Sequence, residues 1–266
     1  MSSNRTQFDD WMASLEARHL ADLRFSEVAR ALRSLSGTYV ERRHNLLRGA
    51  ALSGAGKRAA FALFYAPLHF LITTHVVRHL PHASSGITTL VDLGCGTGAS
   101  GAAWAVACER PPRVIGIDRH PWALGEAAAA YRAFGIEGRT RQRDITDGLS
   151  EQRGSSSFSI LAAFAVNELP EPARERLLRA LIERSANGSR VLIIEPVGRI
   201  VGRWWNPWRD ACERAGGRAD EWRFRADLPA IVAKLDRAAG LDHREITARS
   251  LWLNGASPAA DPRASS

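Results

Sequence analysis

The chain has 266 residues, of which 45% are apolar and 24% are charged, a composition that excludes a chain disordered throughout. Its length suits one α/β core of about 150 to 180 residues with an additional segment. The formal net charge of +8 suits an anionic partner such as RNA, because clustered basic residues release counterions from phosphates. Codon bias is the alternative explanation, since Lys57 and Lys234 are the only lysines.

The cysteines indicate which kinds of site are absent. Cys95, Cys108 and Cys212 are too few and too far apart for a disulfide framework or a zinc site of the usual spacing. The acidic Asp9 and Asp10 stand where a signal peptide would need basic and then apolar residues. We therefore expect no metal and a reducing, cytoplasmic location.

From Gln7 to about Leu80 the sequence carries helical periodicity and almost no strand signal, and we assign residues 1–85 to one N-terminal region. Phe8, Trp11, Met12 and Leu15 recur at the spacing that places side chains on one helix face. The apolar stretch 59–80 is long enough to be tested for membrane insertion, but Pro67 and several histidines interrupt it. We predict a helical N-terminal region that covers the substrate, with residues 1–7 as a loose tail and no membrane contact.

From residue 86 the pattern changes to short apolar strands that alternate with amphipathic helices. Predicted strands cover residues 89–93, 113–117, 140–142, 158–164 and 190–195. Predicted helices cover residues 100–108, 122–134, 171–185, 201–215 and 228–239. Residues 221–225 and 243–253 are further strand candidates, and the second is a candidate for an antiparallel strand.

This alternation predicts an α/β fold with a mostly parallel sheet and helices on both faces. Ligands then bind beyond the carboxyl ends of the strands. We assign residues 86–254 to this domain and residues 255–266, rich in Ala, Ser and Pro, to a disordered tail.

The run VDLGCGTG at residues 91–98 is an apolar strand that ends in glycines before a helix. Glycine lets backbone amides approach a ligand closely, and the helix N-terminus supplies partial positive charge. Gly96, Gly98 and Gly101 alone would also fit a dinucleotide fingerprint. Asp92 argues against it, because a carboxylate repels a pyrophosphate but suits a moiety that carries an ammonium and a sulfonium.

At this run the chain resembles the Rossmann-like, class I S-adenosylmethionine-dependent methyltransferases. Their first motif is an acidic residue followed by Gly-x-Gly-x-Gly, and Asp92, Gly94, Gly96 and Gly98 match it. The resemblance implies S-adenosylmethionine as cofactor and methyl transfer as the reaction. Cys95 lies inside the motif and joins the expected cofactor-binding residues.

Two later strand ends extend the resemblance. Asp118 ends an apolar strand twenty residues after Gly98, where a carboxylate can accept both ribose hydroxyls in nucleoside-binding Rossmann folds generally; Arg119 follows it. Asp144 and Ile145 stand where the family places an acid beside the adenine amino group. A solvated turn residue is the alternative role for Asp144.

The fourth strand leads into Ala165 and then Asn167-Glu168-Leu169-Pro170, and similar segments follow this strand in several methyltransferases. The resemblance implies that Ala165 contacts the cofactor and that Asn167 and Glu168 face the sulfonium and the acceptor. Turn formation and helix capping are their alternative roles. Glu195 ends the fifth strand, either near the pocket or at the sheet edge.

Two residues of the N-terminal region are candidates for an acceptor base. His69 and Tyr65 lie four residues apart, and either could deprotonate an acceptor if the region covers the pocket. Packing within the protein is the alternative role for both. Four tryptophans also have two possible roles, stacking on a ligand or packing within the protein: Trp204, Trp205, Trp208 and Trp222.

The expected activity is methyl transfer to a small molecule. The alternatives are an RNA- or ribosome-directed methyltransferase and a non-catalytic assembly factor that keeps the cofactor fold. The chain also resembles, more distantly, the methyltransferase-like proteins of small-ribosomal-subunit assembly, although their C-terminal cysteine cluster has no counterpart here.

Overall fold

Seven strands form the centre of the computed structural model, which describes residues 2–41, 52–150, 158–197 and 202–255. The strands are β1 (Thr89–Leu93), β2 (Arg113–Asp118), β3 (Gly138–Gln142), β4 (Ser159–Ala163), β5 (Val191–Glu195), β6 (Arg218–Phe224) and β7 (Ile246–Leu253). They lie in the order β3-β2-β1-β4-β5-β7-β6. This confirms the predicted α/β fold.

The first five strands are parallel, whereas β7 runs antiparallel to both β5 and β6. The chain passes from β1 to β2 and β3 on one side and then returns to β4 on the other, so β1 and β4 flank a topological switch point. Ligands of open α/β sheets bind in the crevice beyond the carboxyl ends of such strands. The residues that follow β1 and β4 therefore carry the candidate site.

Helices cover both faces of the sheet. They are α1 (Ser2–His19), α2 (Phe25–Glu41), α3 (Ala55–His79), α4 (Ala99–Ala107), α5 (Pro121–Ala133), α6 (Ile145–Ser150), α7 (Glu171–Ala186), α8 (Gly202–Arg214) and α9 (Ala230–Ala239). A 3₁₀ turn, Val166–Glu168, follows β4. The predicted N-terminal helical region is confirmed.

Two clusters of buried apolar residues hold these layers together. One cluster joins the N-terminal helices, for example through Trp11 and Leu63, to α4, α5 and α9. The other lies on the opposite face, where α6, α7 and α8 contribute Leu149, Leu177 and Trp205. Because the first cluster is continuous, the N-terminal region shares its core with the sheet domain.

Helix α3 contains a π-helical turn, Phe61–Tyr65, in which the amide of Ala66 donates to the carbonyl of Phe61. Pro67 explains the turn, because its ring would clash with the carbonyl four residues earlier and it has no amide to donate. The helix is apolar and long enough to cross a membrane, but 67% of its most apolar window is buried within the protein. This agrees with the predicted buried helix.

Three local features differ from the expectations or lie beyond them. The loose tail predicted for residues 1–7 is wrong from Ser2, where α1 begins, because a helix anchored by Phe8 and Trp11 extends at little cost. Helix α6 was not predicted; Asp144 precedes it and its Oδ1 accepts the amide of Thr146 at 3.0 Å. Residues 256–266 of the predicted tail lie outside the described residues.

Candidate active site

The glycine-rich turn after β1 depends on backbone conformations that favour glycine. Gly94, Gly96 and Gly98 have φ angles of 68°, 51° and 75°, a region that costs other residues about 1–2 kcal/mol. A Cβ on Gly94 would lie 2.6 Å from the Cβ of Ala165, and one on Gly98 would lie 2.8 Å from the Cα of Ala127. A Cβ on Gly96 meets nothing nearer than Phe61 at 3.9 Å. Only Gly96 therefore faces open space.

Asp92 is buried at 1% exposure, and its Oδ2 accepts the amide of Gly101 at 3.1 Å. A Cβ on Gly101 would lie 2.5 Å from the same oxygen, so glycine is needed for this approach. Burial raises the pKa of Asp92 to about 7, against the lowering effect of the Gly101 hydrogen bond. Asp92 thus fixes the start of α4 and places a carboxyl group under the turn.

Asp118 at the end of β2 holds the turn from the other side. Its Oδ2 accepts the amide of Gly96 at 3.0 Å and its Oδ1 accepts the amide of His120 at 2.8 Å. The carbonyl of Ile117 accepts the amides of Gly94 and Cys95. These bonds join the ends of β1 and β2 into one preorganised wall.

A cavity of about 370 Å³ lies over this wall, at the lower end of the range for small-molecule sites. Its lining residues come from the sheet domain and from α3 and the residue Leu52 before it. They are Leu52, Phe61, His69, Asp92, Gly94, Cys95, Gly96, Thr97, Ala99, Ser100, Asp118, Arg119, His120, Pro121, Ala123, Ile145, Ala163, Phe164, Ala165, Glu168 and Leu169.

The structure brings most of the predicted site residues to this cavity. The lining includes Asp92, Gly94, Cys95, Gly96, Asp118, Arg119, Ile145, Ala165, His69 and Glu168. Gly98, Asp144, Asn167 and Tyr65 do not line it. Gly98 instead caps the N-terminus of α4 with left-handed geometry.

Asp144 has a local role that explains its position outside the cavity wall. Its Oδ1 accepts both the amide and the hydroxyl of Thr146, at 3.0 and 2.8 Å, at the start of α6. Its Oδ2 lies 4.0 Å from Nη1 of Arg119, whose side chain is half exposed at the rim. The neighbouring Ile145 contributes the apolar contact to the cavity.

Aromatic rings from α3 and from the residue after β4 form a second part of the cavity wall, and Phe61 lies next to the glycine turn. His69 stacks on Phe164 with ring centroids 3.8 Å apart and planes at 10°, and Phe61 meets His69 edge-on at 6.0 Å. Phe164 has a φ of 58°, a strained conformation for a bulky residue that is typical of functional sites. This side therefore presents flat, apolar surfaces.

The pKa values of His69 and Tyr65, the two predicted bases on α3, make both residues poor general bases. Burial lowers the pKa of His69 to about 3, so its imidazole is neutral at physiological pH and a weak proton acceptor. Burial raises the pKa of Tyr65 to about 12, so its phenol stays protonated. Tyr65 packs against Phe61 at 5.7 Å and shapes the aromatic side rather than lining the cavity.

Glu168 is the ionisable lining residue best suited to exchange a proton near neutral pH. Burial and the charge of Asp118 raise its pKa to about 7, and Arg119 opposes the shift. A carboxyl group with a pKa near the ambient pH is an effective general base. It stands on the 3₁₀ turn that follows β4.

Buried contacts hold this turn in place. Oε1 of Glu195 accepts the amides of Val166 and Asn167, at 2.9 and 3.2 Å. The side-chain oxygen of Asn167 accepts the indole N–H of Trp204 at 3.0 Å. Asn167 and Glu195 therefore stabilise the turn through these hydrogen bonds. For Asn167 this agrees with turn formation, the alternative role given above.

The tryptophans of this region pack within the protein. Trp205 and Trp208 are buried, and the guanidinium of Arg249 lies 4.0 Å from the Trp205 ring centre. The indole of Trp222 donates to the hydroxyl of Ser250 at 2.9 Å. Trp204, Trp205, Trp208 and Trp222 do not line the described cavity.

Residues 90–188 match the family model described as a methyltransferase domain. Residues 90–188, which are less than half of the chain, are thus similar to methyltransferase domains. The match begins within β1 and ends after α7, so the methyltransferase domain supplies the glycine turn, Asp118 and Glu168. Leu52, Phe61 and His69 of the cavity lie outside the matched residues.

Among solved structures, the mitomycin 7-O-methyltransferase MmcR aligns with a TM-score of 0.51 and 15% identity, over 92% of this chain and 72% of its own. An O-methyltransferase family protein from Burkholderia thailandensis has a TM-score of 0.49 and 10% identity, over 75% of this chain and 61% of its own. At these identities the likeness to MmcR concerns the fold alone. No curated protein sequence gives a significant match to the chain.

Eleven lining residues were not among the predicted site residues: Leu52, Phe61, Thr97, Ala99, Ser100, His120, Pro121, Ala123, Ala163, Phe164 and Leu169. His120 had a usable signal, since it follows Asp118 by two residues at the same strand end. Phe164 likewise ends the fourth predicted strand. Leu52 and Phe61 carried no signal, because their approach to the cavity depends on how the N-terminal helices pack.

Proposed function

We propose that this chain binds S-adenosylmethionine in the described cavity and transfers its methyl group to a small-molecule acceptor. One observation carries the proposal: the glycine turn and Asp118 share one cavity with the aromatic side formed by Phe61, His69 and Phe164. A cavity of this size that combines apolar and aromatic side chains with polar groups is typical of small-molecule sites.

The charges of the cavity support this cofactor over a dinucleotide. Asp92 and Glu168 line the cavity, and in their ionised forms these carboxylates oppose a pyrophosphate but attract an ammonium and a sulfonium. Gly96 leaves space above the turn for a ligand to approach the backbone. When bound, S-adenosylmethionine supplies an electrophilic methyl group that needs no acid catalysis.

On this proposal the protein acts mainly by positioning and by accepting a proton. Phe61 and the stacked rings of His69 and Phe164 orient a planar acceptor, a contribution that can reach effective molarities of about 10⁵ M or more. Glu168 accepts the proton that the acceptor nitrogen or oxygen loses. Neutral His69 adds a hydrogen-bonding group without charge. The N-terminal region excludes water from this end.

An RNA- or ribosome-directed methyltransferase is the second candidate, and one observation favours it. Arg139 and Arg141 are exposed along β3, an outer strand of the sheet, and the chain has a net charge of +8. Phosphate contacts by such residues would make binding depend steeply on salt. For location we propose the cytoplasm, which the three buried free cysteines support.

Transfer of labelled methyl groups from S-adenosylmethionine separates the candidates. The purified chain is incubated with pooled small aromatic amines and phenols, or with total RNA, at low and high salt. The proposal predicts label in small molecules, with little effect of salt. Label confined to RNA would favour the second candidate. Cofactor binding with no transfer to either would support a non-catalytic assembly factor.

A further inference from the structure

Leu52 brings the N-terminal region to the cofactor side of the cavity. It precedes α3 and lines the cavity together with Arg119, His120 and Pro121, the residues that follow Asp118. The family match begins only at residue 90. The methyltransferase domain therefore does not complete this wall by itself.

Arg58 fixes the position of Leu52. Its Nε donates to the carbonyl of Leu52 at 2.9 Å. The same guanidinium has its centre 5.8 Å from the ring centroid of Trp122, on α5, which is within the range of a cation–π interaction. One half-buried side chain thus joins the two parts of the protein at the edge of the cavity.

Trp122 is itself held between the two regions. Its neighbours Pro121 and Ala123 both line the cavity. The rings of His19 and His120 meet the indole edge-on at 6.1 and 6.2 Å. Because α1 contributes His19, the indole receives contacts from two helices of the N-terminal region.

Glu126, one turn after Trp122, secures the end of α1. Its Oε2 lies 2.7 Å from Nη2 of Arg18 and 3.3 Å from Nε2 of His19. Burial raises the pKa of Glu126, but hydrogen bonds and charge from His19 and Arg18 outweigh it and hold the pKa below its ordinary value. The carboxylate therefore stays ionised and holds α1 against α5.

His120 provides an independent sign that a ligand belongs at this wall. Its Nδ1 is buried and has no hydrogen-bond partner among the described residues, although the residue lines the cavity. Buried polar atoms are normally paired in folded proteins. A nucleoside edge at this position would supply the missing partner.

We propose that Arg58, through Leu52 and Trp122, is a positioning residue that closes the nucleoside end of the cofactor pocket and slows release of the cofactor. This rests on the proposed function. It gives the N-terminal region a role in holding the cofactor, besides its expected role of covering the acceptor. Arg58 acts through the carbonyl of Leu52 and the Trp122 ring and touches no reacting atom.

The test measures S-adenosylhomocysteine binding to the full chain by calorimetry and its dissociation by stopped-flow tryptophan fluorescence. Arg58→Ala should weaken binding by about 5- to 30-fold, from the loss of one hydrogen bond and one cation–π contact. The change should lie in the dissociation rate. Arg58→Lys, which keeps the charge but loses the planar guanidinium, should fall between wild type and Arg58→Ala.

Arg30→Ala is the matched control, because Arg30 is exposed on α2 of the same region and should leave binding unchanged. Combining Arg58→Ala with Trp122→Phe should weaken binding by less than the product of the single effects, since the two residues act together.

Wild-type affinity and dissociation rate in both Arg58→Ala and Arg58→Lys would overturn this inference alone, as would an effect confined to the association rate. A wild-type chain that does not bind the ligand would overturn the proposed function and this inference with it.

Discussion

The two halves of the cavity are built in different ways. The methyltransferase half is held by hydrogen bonds that backbone amides of the glycine turn and the start of α4 donate to the carboxyl groups of Asp118 and Asp92, at the ends of adjacent strands. The N-terminal half consists of side chains such as Phe61 and His69, which reach the cavity through helix packing and the π-helical turn. The first half is set by local sequence, and the second by the shared core.

The strongest test of this contrast removes a packing contact far from the ligand. Phe70 on α3 is buried and stacks on Phe134, the residue that follows α5, with centroids 4.9 Å apart and planes at 14°. Phe70→Ala should lower the free energy of unfolding by about 3–5 kcal/mol. Chemical denaturation should show one transition for the whole protein. Phe25→Ala, at a position 38% exposed, should cost about 0.5 kcal/mol or less.

Two separate unfolding transitions in the wild-type chain would contradict the shared core.

In the methyltransferase half, Asp118→Ala should have the largest effect on ligand binding. It removes the acceptor of the Gly96 and His120 amides, and hydrogen bonds to charged groups contribute about 1.5–3 kcal/mol. We expect S-adenosylhomocysteine to bind about 100-fold more weakly by calorimetry. Asp147→Ala, on the exposed side of α6, should bind as wild type does. An equal loss of affinity in both variants would contradict the role of Asp118 in holding the ligand-binding turn.

Gly96→Val should weaken cofactor binding by about 30-fold, since the new side chain would occupy the space between the turn and Phe61. The positive φ adds a cost of about 1–2 kcal/mol in stability. Gly125→Ala is the contrasting change, because Gly125 is exposed on α5 and has no neighbour near its missing Cβ. It should raise stability by about 0.5–1 kcal/mol and leave calorimetric binding unchanged. Wild-type affinity in Gly96→Val would show that the cofactor does not bind over the glycine turn.

Buried carboxyl groups should make stability depend on pH. Burial raises the pKa of Asp92 to about 7 and of Glu195 to about 8, above their values in the unfolded chain. The folded state then binds more protons, so stability is greatest at low pH and falls as the pH rises through these values. His69, with its pKa lowered to about 3 from 6.5, has the opposite effect below pH 6.5.

Thermal unfolding of the ligand-free protein should therefore show a falling midpoint between about pH 6.5 and 8. Glu195→Gln, which keeps an oxygen to accept the amides of Val166 and Asn167, should flatten this decline. A midpoint that rises with pH, or the same slope in the variant, would show that these groups are not buried as described.

The smallest predicted effect concerns the support of the turn after β4. Trp204→Phe removes the hydrogen bond to the side-chain oxygen of Asn167 and should lower the free energy of unfolding by about 0.5–1.5 kcal/mol. Cofactor affinity should change by about twofold or less, because neither residue lines the cavity. A large loss of affinity would mean that the turn contacts the cofactor more closely than the geometry indicates.

The same contrast explains what could be predicted from sequence. Asp92, Gly96 and Asp118 were identifiable because a glycine turn between a strand and a helix constrains residue types at fixed spacing. The predicted contact of Asp144 with the adenine stays a prediction: its side chain does not line the cavity, and its Oδ1 accepts the amide of Thr146 at the start of α6. Phe61 and Leu52 could not be predicted, because the packing of the N-terminal helices against the sheet domain places them at the cavity. Their local sequence indicates only a helix and the residues before it.

The measurement that tests the central claim most directly is calorimetric titration of the full chain with S-adenosylmethionine and S-adenosylhomocysteine, with oxidised and reduced nicotinamide dinucleotides as controls. We predict micromolar binding of the first two, weakened in Asp118→Ala, and no binding of the dinucleotides. Binding of a dinucleotide, or of none of the four, would contradict the assignment of the cavity.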